Sequence, residues 1–380
     1  MCEDEKQMSY LLLSRAEEFD HYNSKLGGTK MKKVMNYLLG MTLISMVILT
    51  GCRGQGDEYT INGATYLEEE VVIGEGSDWP LDGILTLPAE ASAENPVPVV
   101  ILVHGSGPGD RDQSIFENRP FFDIADYLSE NGIAVLRYDK RTLTHGEELL
   151  TVYGGELTVM EETIEDVLLA TELIRADERI NEEQVFVLGL SLGGILAPRI
   201  YTSAEGSFAG LVIMAGTPRD LTEVMMTQNE MMLDEMEEGA ERNAMLIQIE
   251  QIGAIFDSIP TMTPEVAREM DLGGMSAYYF LDMILNPFSL DLAEVEAPIL
   301  ALQGEQDFQI LADLDFVLME ELLADCDNAQ TILYPGLNHL FMPSEIATGI
   351  SNIMDEYAIP AQVDEQVLRD IVQWIFEQIE

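Results

Sequence analysis

Positive charge is scarce in this chain. Of 380 residues, 19 are Lys or Arg against 69 Asp or Glu, a formal net charge of −50. No basic stripe can form to neutralise phosphates, which excludes nucleic-acid binding, and anionic substrates are repelled on approach. Cysteine is nearly absent, with three in the chain, too few for a disulfide framework. No apolar run reaches the roughly 20 residues that a comfortable transmembrane helix needs. Histidine is limited to four residues, so chemistry that requires an imidazole has little to draw on. A core, by contrast, is well supplied. Hydrophobic residues make up 47% of the chain, which excludes a disordered acidic polymer, and the length allows one large domain or two ordinary ones.

The first fifty residues do not read as fold. Met31-Lys32-Lys33 is a short basic segment, and Tyr37 to Thr50 is an apolar or small run of 14 residues, the pattern of a signal-peptide hydrophobic region. It ends in Leu49-Thr50-Gly51-Cys52. That ending resembles the lipobox of bacterial lipoproteins, which implies lipidation of Cys52 after removal of 31–51 and a place on the outer face of the cytoplasmic membrane. Because signal peptides begin at the N-terminus, residues 1–30 are expected to be an upstream extension, with translation starting at Met31. Gly27-Gly28 would then be a ribosome-binding site read as protein, and a purine-rich stretch in the gene there is the check. Residues 1–51 are neutral in sum, so the whole −50 falls on residues 52–380, which hold a single lysine, Lys140. Two cysteines remain there, Cys52 and Cys326. With the first lipidated, no intramolecular disulfide is available, and Cys326 is expected to be a buried small hydrophobe.

After a polar tether over residues 52–58, two strand-like runs, Glu68–Ile73 and Leu81–Leu87, suggest an antiparallel start. The pattern then alternates. Val97–Val103, Ile133–Tyr138, Gln184–Leu190, Phe208–Ala215, Pro298–Gln303 and Thr331–Tyr334 read as strands. Phe121–Asn131, Glu161–Ala176, Gly194–Ser203, Leu311–Ala324 and Asp364–Ile379 read as helices. Such alternation predicts an α/β fold with a parallel sheet covered on both faces. The core is expected over 59–216 and 297–380. Residues 217–296 carry helical but no strand signals, among them Leu221–Glu238 and Ala240–Ile259, and read as a helical insertion over the sheet's edge. The insertion holds ten of the 21 methionines. Met225, Met226 and Met231 are candidates for an adaptable apolar substrate pocket, against the plainer alternative of helix packing.

Gly189-Leu190-Ser191-Leu192-Gly193 matches G-x-S-x-G between a strand and a helix, where small flanking residues let the backbone turn sharply and expose the serine hydroxyl. A serine needs a base to become a nucleophile. Of His104, His145 and His339, only His339 follows Ser191, in a loop before the last helix. The acid that orients the imidazole should lie between them at a strand's C-terminal end. Asp307 in Gly304-Glu305-Gln306-Asp307 fits, with Glu305 its nearest rival and Asp220 a further alternative. Two amides should hold the developing oxyanion: that of Leu192, and that of Ser106, or Gly105, in His104-Gly105-Ser106-Gly107-Pro108-Gly109. His104 is expected to be a structural ring behind that loop and His145 a surface loop residue. Arg137, Lys140 and Arg141 could bind a substrate carboxylate. The plainer reading is an ion-pair network with Asp110, Asp112 and Asp139.

Taken in order, HGSGPGDRD (104–112), RYDKRT (137–142), GLSLGG (189–194), GEQD (304–307) and PGLNHLF (335–341) resemble the α/β-hydrolase superfamily, in its serine aminopeptidase-like and esterase-like branch with a helical lid. The resemblance runs from about Glu68 to the C-terminus. It implies an eight-stranded, mostly parallel sheet and a Ser191–His339–Asp307 triad, and calls for no cofactor, no metal and no obligate protein partner. Leu190 departs from the His that many members place before the serine, outside the triad. The leading expectation is a serine hydrolase acting on carboxylic esters with small or medium acyl groups. An aminopeptidase on short peptides would need an acidic anchor for the α-amine. Residues 217–296 hold 17 Asp+Glu against three Arg, but none is uniquely placed. A thioesterase is a third enzyme reading. A surface binding lipoprotein without chemistry is the alternative of another class, and it is disfavoured by the complete triad and elbow glycines.

Overall fold

The computed structural model describes residues 66–379. The expected upstream extension (1–30), signal peptide (31–51), lipidation site at Cys52 and tether (52–58) lie outside the described residues. The chain opens with β1 (Tyr66–Ile73), β2 (Leu81–Pro88) and β3 (Val97–Val103), followed by α1 (Pro120–Glu130) and β4 (Ala134–Tyr138). Two short helices come next, α2 (Arg141–Thr144) and α3 (Gly146–Val152). A wide turn over Met160–Ile164 leads into α4 (Glu165–Arg175), then β5 (Ile180–Leu190), α5 (Leu192–Ser203) and β6 (Gly210–Met214). Five helices intervene before the next strand: α6 (Leu221–Glu235), α7 (Ala240–Phe256), α8 (Pro264–Glu269), α9 (Ala277–Leu285) and α10 (Phe288–Leu292). The fold closes with β7 (Ile299–Gly304), α11 (Val317–Leu323), β8 (Ala329–Tyr334), α12 (Ile353–Tyr357) and α13 (Glu365–Ile379).

All eight strands join one sheet in the order β1-β2-β4-β3-β5-β6-β7-β8. The first two strands are antiparallel to their neighbours, and β3 through β8 run parallel. The continuous apolar run of β3 follows from burial on both faces. Val99, Ile101 and Val103 pack with Val167, Ile174 and Ile200 of the helical layer on one side. The alternate Val100 and Leu102, turned the other way by the two-residue strand period, are equally buried. Each parallel strand therefore ends at the same margin of the sheet, where chemistry in such folds is assembled.

Two sequence expectations need adjustment. The helical insertion springs from β6, which lies between β5 and β7, so it rises from inside the sheet's C-terminal margin and not from a lateral edge. It also shares the sheet's core: Tyr279, Phe280, Leu281 and Met283 of α9 belong to the same buried cluster as Ile101 and Val187. Cys326 is only half-buried, packed at the side of the cluster formed by Ile299, Phe316, Met319 and Leu323.

Candidate active site

Ser191 stands between β5 and α5 with φ 56° and ψ −117°, a conformation that L-residues avoid unless the surroundings impose it. Its amide donates to the Met214 carbonyl at 2.8 Å, and its own carbonyl accepts from Ile195 at 2.9 Å. Strand and helix thus clamp the turn from both ends. The elbow glycines are required by close approach. A Cβ on Gly189 would run into the Gly193 carbonyl, and one on Gly193 into the carbonyl of Val103. The loop after β3 lies against the serine: the Cβ direction of Gly105 points to within 3.3 Å of Ser191 Cβ and 3.8 Å of its Oγ.

The late strands bring the other two groups. His339 Nδ1 donates to Asp307 Oδ2 at 2.7 Å, with both residues buried. That bond selects the tautomer with an unprotonated Nε2, the form a general base needs. The remaining capacity of the carboxylate is filled. Asp307 Oδ1 accepts the amides of Gln309 and Ile310 at 2.7 and 3.0 Å, and Oδ2 also accepts from Gln303 Nε2 at 2.9 Å. No hydrogen bond joins the Ser191 hydroxyl to the His339 ring among the described residues. In unliganded sites that bond is commonly long and tightens in the complex. The rival acids are elsewhere: Glu305 accepts the Gly336 amide at 3.2 Å, and Asp220 precedes α6.

The loop bearing His339 is organised by residues the sequence reading did not single out. Asn338 Oδ1 accepts the amides of Leu340 and Met342, and its Nδ2 donates to Glu356 at 2.9 Å. The other Glu356 oxygen collects the Ser344 hydroxyl and the amides of Glu345, Ile346 and Ala347. Burial pushes the Glu356 carboxyl up, but these donors hold it below the ordinary glutamate range. A polar Gln303 closing an otherwise apolar strand four residues before the acid was a signal available in the sequence. Glu356 had none, because its partners are set by the fold.

The remaining sequence candidates separate cleanly. His104 is buried between Phe121 and Tyr138, and its Nε2 donates to the Asp110 carbonyl at 2.9 Å. Burial, reinforced by the Lys140 charge, pushes its pKa down to about 4, so it is the structural ring expected. His145 packs edge-on against Trp79 and bonds the Pro80 carbonyl. The basic trio is committed to ion pairs. Arg137 binds Asp112 and Glu68, Lys140 binds Glu162, and Arg141 binds Asp166 and Glu165. Of the three expected acids only Asp112 joins the network, through Arg137: Asp139 pairs with Arg111 and Asp110 accepts amides. All three cations are thus engaged by carboxylates of the chain.

Met225 lies in the main buried cluster, with Met226 packed against it. Met226 also faces an open groove of about 540 Å³ between α6 and α7, with Leu233, Leu246 and Ile249. Ser191, Asp307 and His339 do not line that groove, and Met231 is half-buried on α6. Met225 and Met226 are thus helix-packing positions, the plainer of the two alternatives. Among the described residues, no group of His, Cys, Asp and Glu is arranged to hold a metal ion.

Residues 100–347 match the family model described as the alpha/beta hydrolase family. Esterase EstD of Thermotoga maritima is 33% identical over 296 residues, covering 78% of this chain and 65% of that protein's length. Among solved structures, Est1E from Butyrivibrio proteoclasticus superposes with a TM-score of 0.50 at 15% identity, covering 82% of this chain and 98% of Est1E. An acylaminoacyl peptidase does so with a TM-score of 0.50 at 14% identity, covering 83% of this chain and 44% of the peptidase. At that identity the likeness speaks for the fold alone.

Proposed function

The chain belongs to the alpha/beta hydrolase family, and from that premise we propose that it is a serine esterase hydrolysing carboxylic esters of small or medium acyl groups through an acyl-enzyme. Ser191 attacks the ester carbonyl. His339 Nε2 takes its proton and returns it to the leaving alcohol, and Asp307 orients the imidazole and stabilises its charged form. The amides of Ser106 and Leu192 hold the oxyanion. A second attack, by water activated at His339, releases the acid. The observation that carries this reading is the strained Ser191 turn in a chain whose His339 and Asp307 are bonded at 2.7 Å. The esterase relative at 33% identity supports an ester substrate over an amide.

Fluorophosphonate labelling with parallel rates on p-nitrophenyl esters and aminoacyl arylamides tests it. Wild type should label and turn over esters, whereas Ser191→Ala should do neither, with kcat lower by about 10⁴-fold or more. An unlabelled wild type removes the serine mechanism, and arylamide turnover above that of every ester removes the esterase preference.

The motif Leu49-Thr50-Gly51-Cys52 supports a further part of the reading, that lipid on Cys52 holds the enzyme at the outer face of the cytoplasmic membrane. Metabolic labelling with an alkyne fatty acid in a bacterial host should tag wild type and not Cys52→Ser. Equal labelling of the two would overturn it.

A further inference from the structure

The one lysine after residue 51 is buried: Lys140 is 1% exposed. Its ammonium makes two bonds, one to Glu162 Oε1 at 2.6 Å and one to the Gly105 carbonyl at 2.9 Å. That carbonyl belongs to the Gly105–Ser106 peptide group, whose other end is the Ser106 N–H. The second Glu162 oxygen accepts the Tyr279 hydroxyl of α9 at 2.5 Å. Tyr279 is itself buried, and burial together with the Glu162 charge raises its pKa well above the ordinary tyrosine range, so it remains a donor. A chain of buried charged bonds therefore runs from the helical insertion to the loop that touches Ser191.

The same turn after β4 holds two more carbonyls of that loop. The Lys140 amide donates to Gly109 O at 2.9 Å, and the Thr142 hydroxyl to Gly107 O at 3.2 Å. Burying an ammonium is costly unless it is paired and bonded. A backbone anchor alone could be supplied by a neutral donor. A cation on a peptide oxygen does two things a neutral donor does weakly: it fixes the plane of the amide, and it draws electron density toward oxygen, making the N–H at the other end a stronger donor.

We propose that Lys140 is a positioning residue for the oxyanion donor, its ammonium orienting and polarising the Gly105–Ser106 peptide group while Glu162 and Tyr279 tie that setting to the helical insertion. The inference rests on the reading of Ser191 as nucleophile and the Ser106 amide as oxyanion donor. It gives the RYDKRT segment a role in the reaction without contact to substrate. Its signature is a loss confined to the tetrahedral states, in which the oxyanion carries full charge.

The experiment compares Lys140→Met and Tyr279→Phe with wild type in ester kinetics, in inhibition by an alkyl boronic acid that forms a tetrahedral adduct on serine, and in thermal melting. Tyr279→Phe should lower kcat about threefold and Lys140→Met about tenfold or more, with KM within about twofold and the boronate inhibition constant rising by the factor that kcat falls. A variant that melts like wild type and keeps its kcat overturns the proposal, as does a loss that falls on KM and leaves the boronate constant unmoved. Should Lys140→Met fail to fold, Tyr279→Phe and Glu162→Gln decide by the same quantities. Ser191→Ala separates the two levels. If it retains wild-type turnover, the serine reading itself falls. If it is inactive while Lys140→Met or Tyr279→Phe behaves as wild type, only the positioning falls.

Discussion

At the scale of single residues, the candidate site was legible wherever chemistry leaves a mark in linear order. Ser191 is announced by two glycines that the turn demands, and His339 by being the only histidine after it. Asn338 and Glu356 left little trace, because each acts largely through bonds to backbone amides that meet only after folding. His104 offers a test of a buried group. In the folded protein it stays neutral down to about pH 4, against 6.5 for a free imidazole. Between those values the unfolded chain binds a proton that the fold refuses. Its contribution to stability is therefore level above pH 6.5 and falls as the pH drops toward 4, by about 3 kcal/mol in all. Asp123 slopes the opposite way, since burial pushes its carboxyl up to about 6 and its protonated form favours the fold as pH falls. The measurement is accordingly a difference. Urea unfolding of wild type and His104→Gln from pH 7 to 4.5 should show wild type losing stability relative to the variant on acidification. Parallel curves would remove the assignment.

At the scale of elements, the parallel strands declared themselves through unbroken apolar runs, and the observed β3 coincides with the expected Val97–Val103. The insertion was legible as helical but not as part of the core, because the face that α9 buries is defined by the helices and sheet it meets. Its attachments are specific: Arg199 of α5 pairs with Asp282 of α9 at 2.6 Å, and the Ser276 hydroxyl donates to Gly155 O at 2.8 Å. In contrast, Glu237 and Glu238, in the short connection from α6 to α7, are exposed. Limited digestion with a glutamate-specific protease should therefore cut first at Glu237 or Glu238, with α9 retained on the hydrolase body. Mass spectrometry of the early fragments checks this, and first cuts within Ala277–Leu285 would contradict the anchored insertion.

At the scale of the whole molecule, the scarcity of basic residues takes on a physical distribution. The single lysine of residues 52–380 is spent inside, and Arg137 and Arg141 are buried in ion pairs. The outer surface of the described residues is thus strongly acidic and repels itself, a cost that dissolved ions screen. Raising sodium chloride from 0.05 to 2 M should increase Tm by several degrees. A Tm that is constant or falling across that range would show that the charge is tolerated without salt. The same surface is repelled by anionic lipid headgroups, which makes a lipid on Cys52, in the proposed reading, the means of attachment in place of charge.

Sequence alone determined the fold class, the succession of the strands with the main helices between them, and the candidate serine, histidine and acid. These depend on local periodicity, turn chemistry and chain order, all of which are written along one dimension. Tertiary structure decided which acids neutralise the buried cations, that Met225 packs into the core, and that Lys140 bonds the Gly105 carbonyl. Those outcomes follow from desolvation. A buried charge takes whichever partner the packed chain brings within bonding distance, and residues as far apart as Lys140, Glu162 and Tyr279 acquire a common role only when the sheet and the insertion close on them.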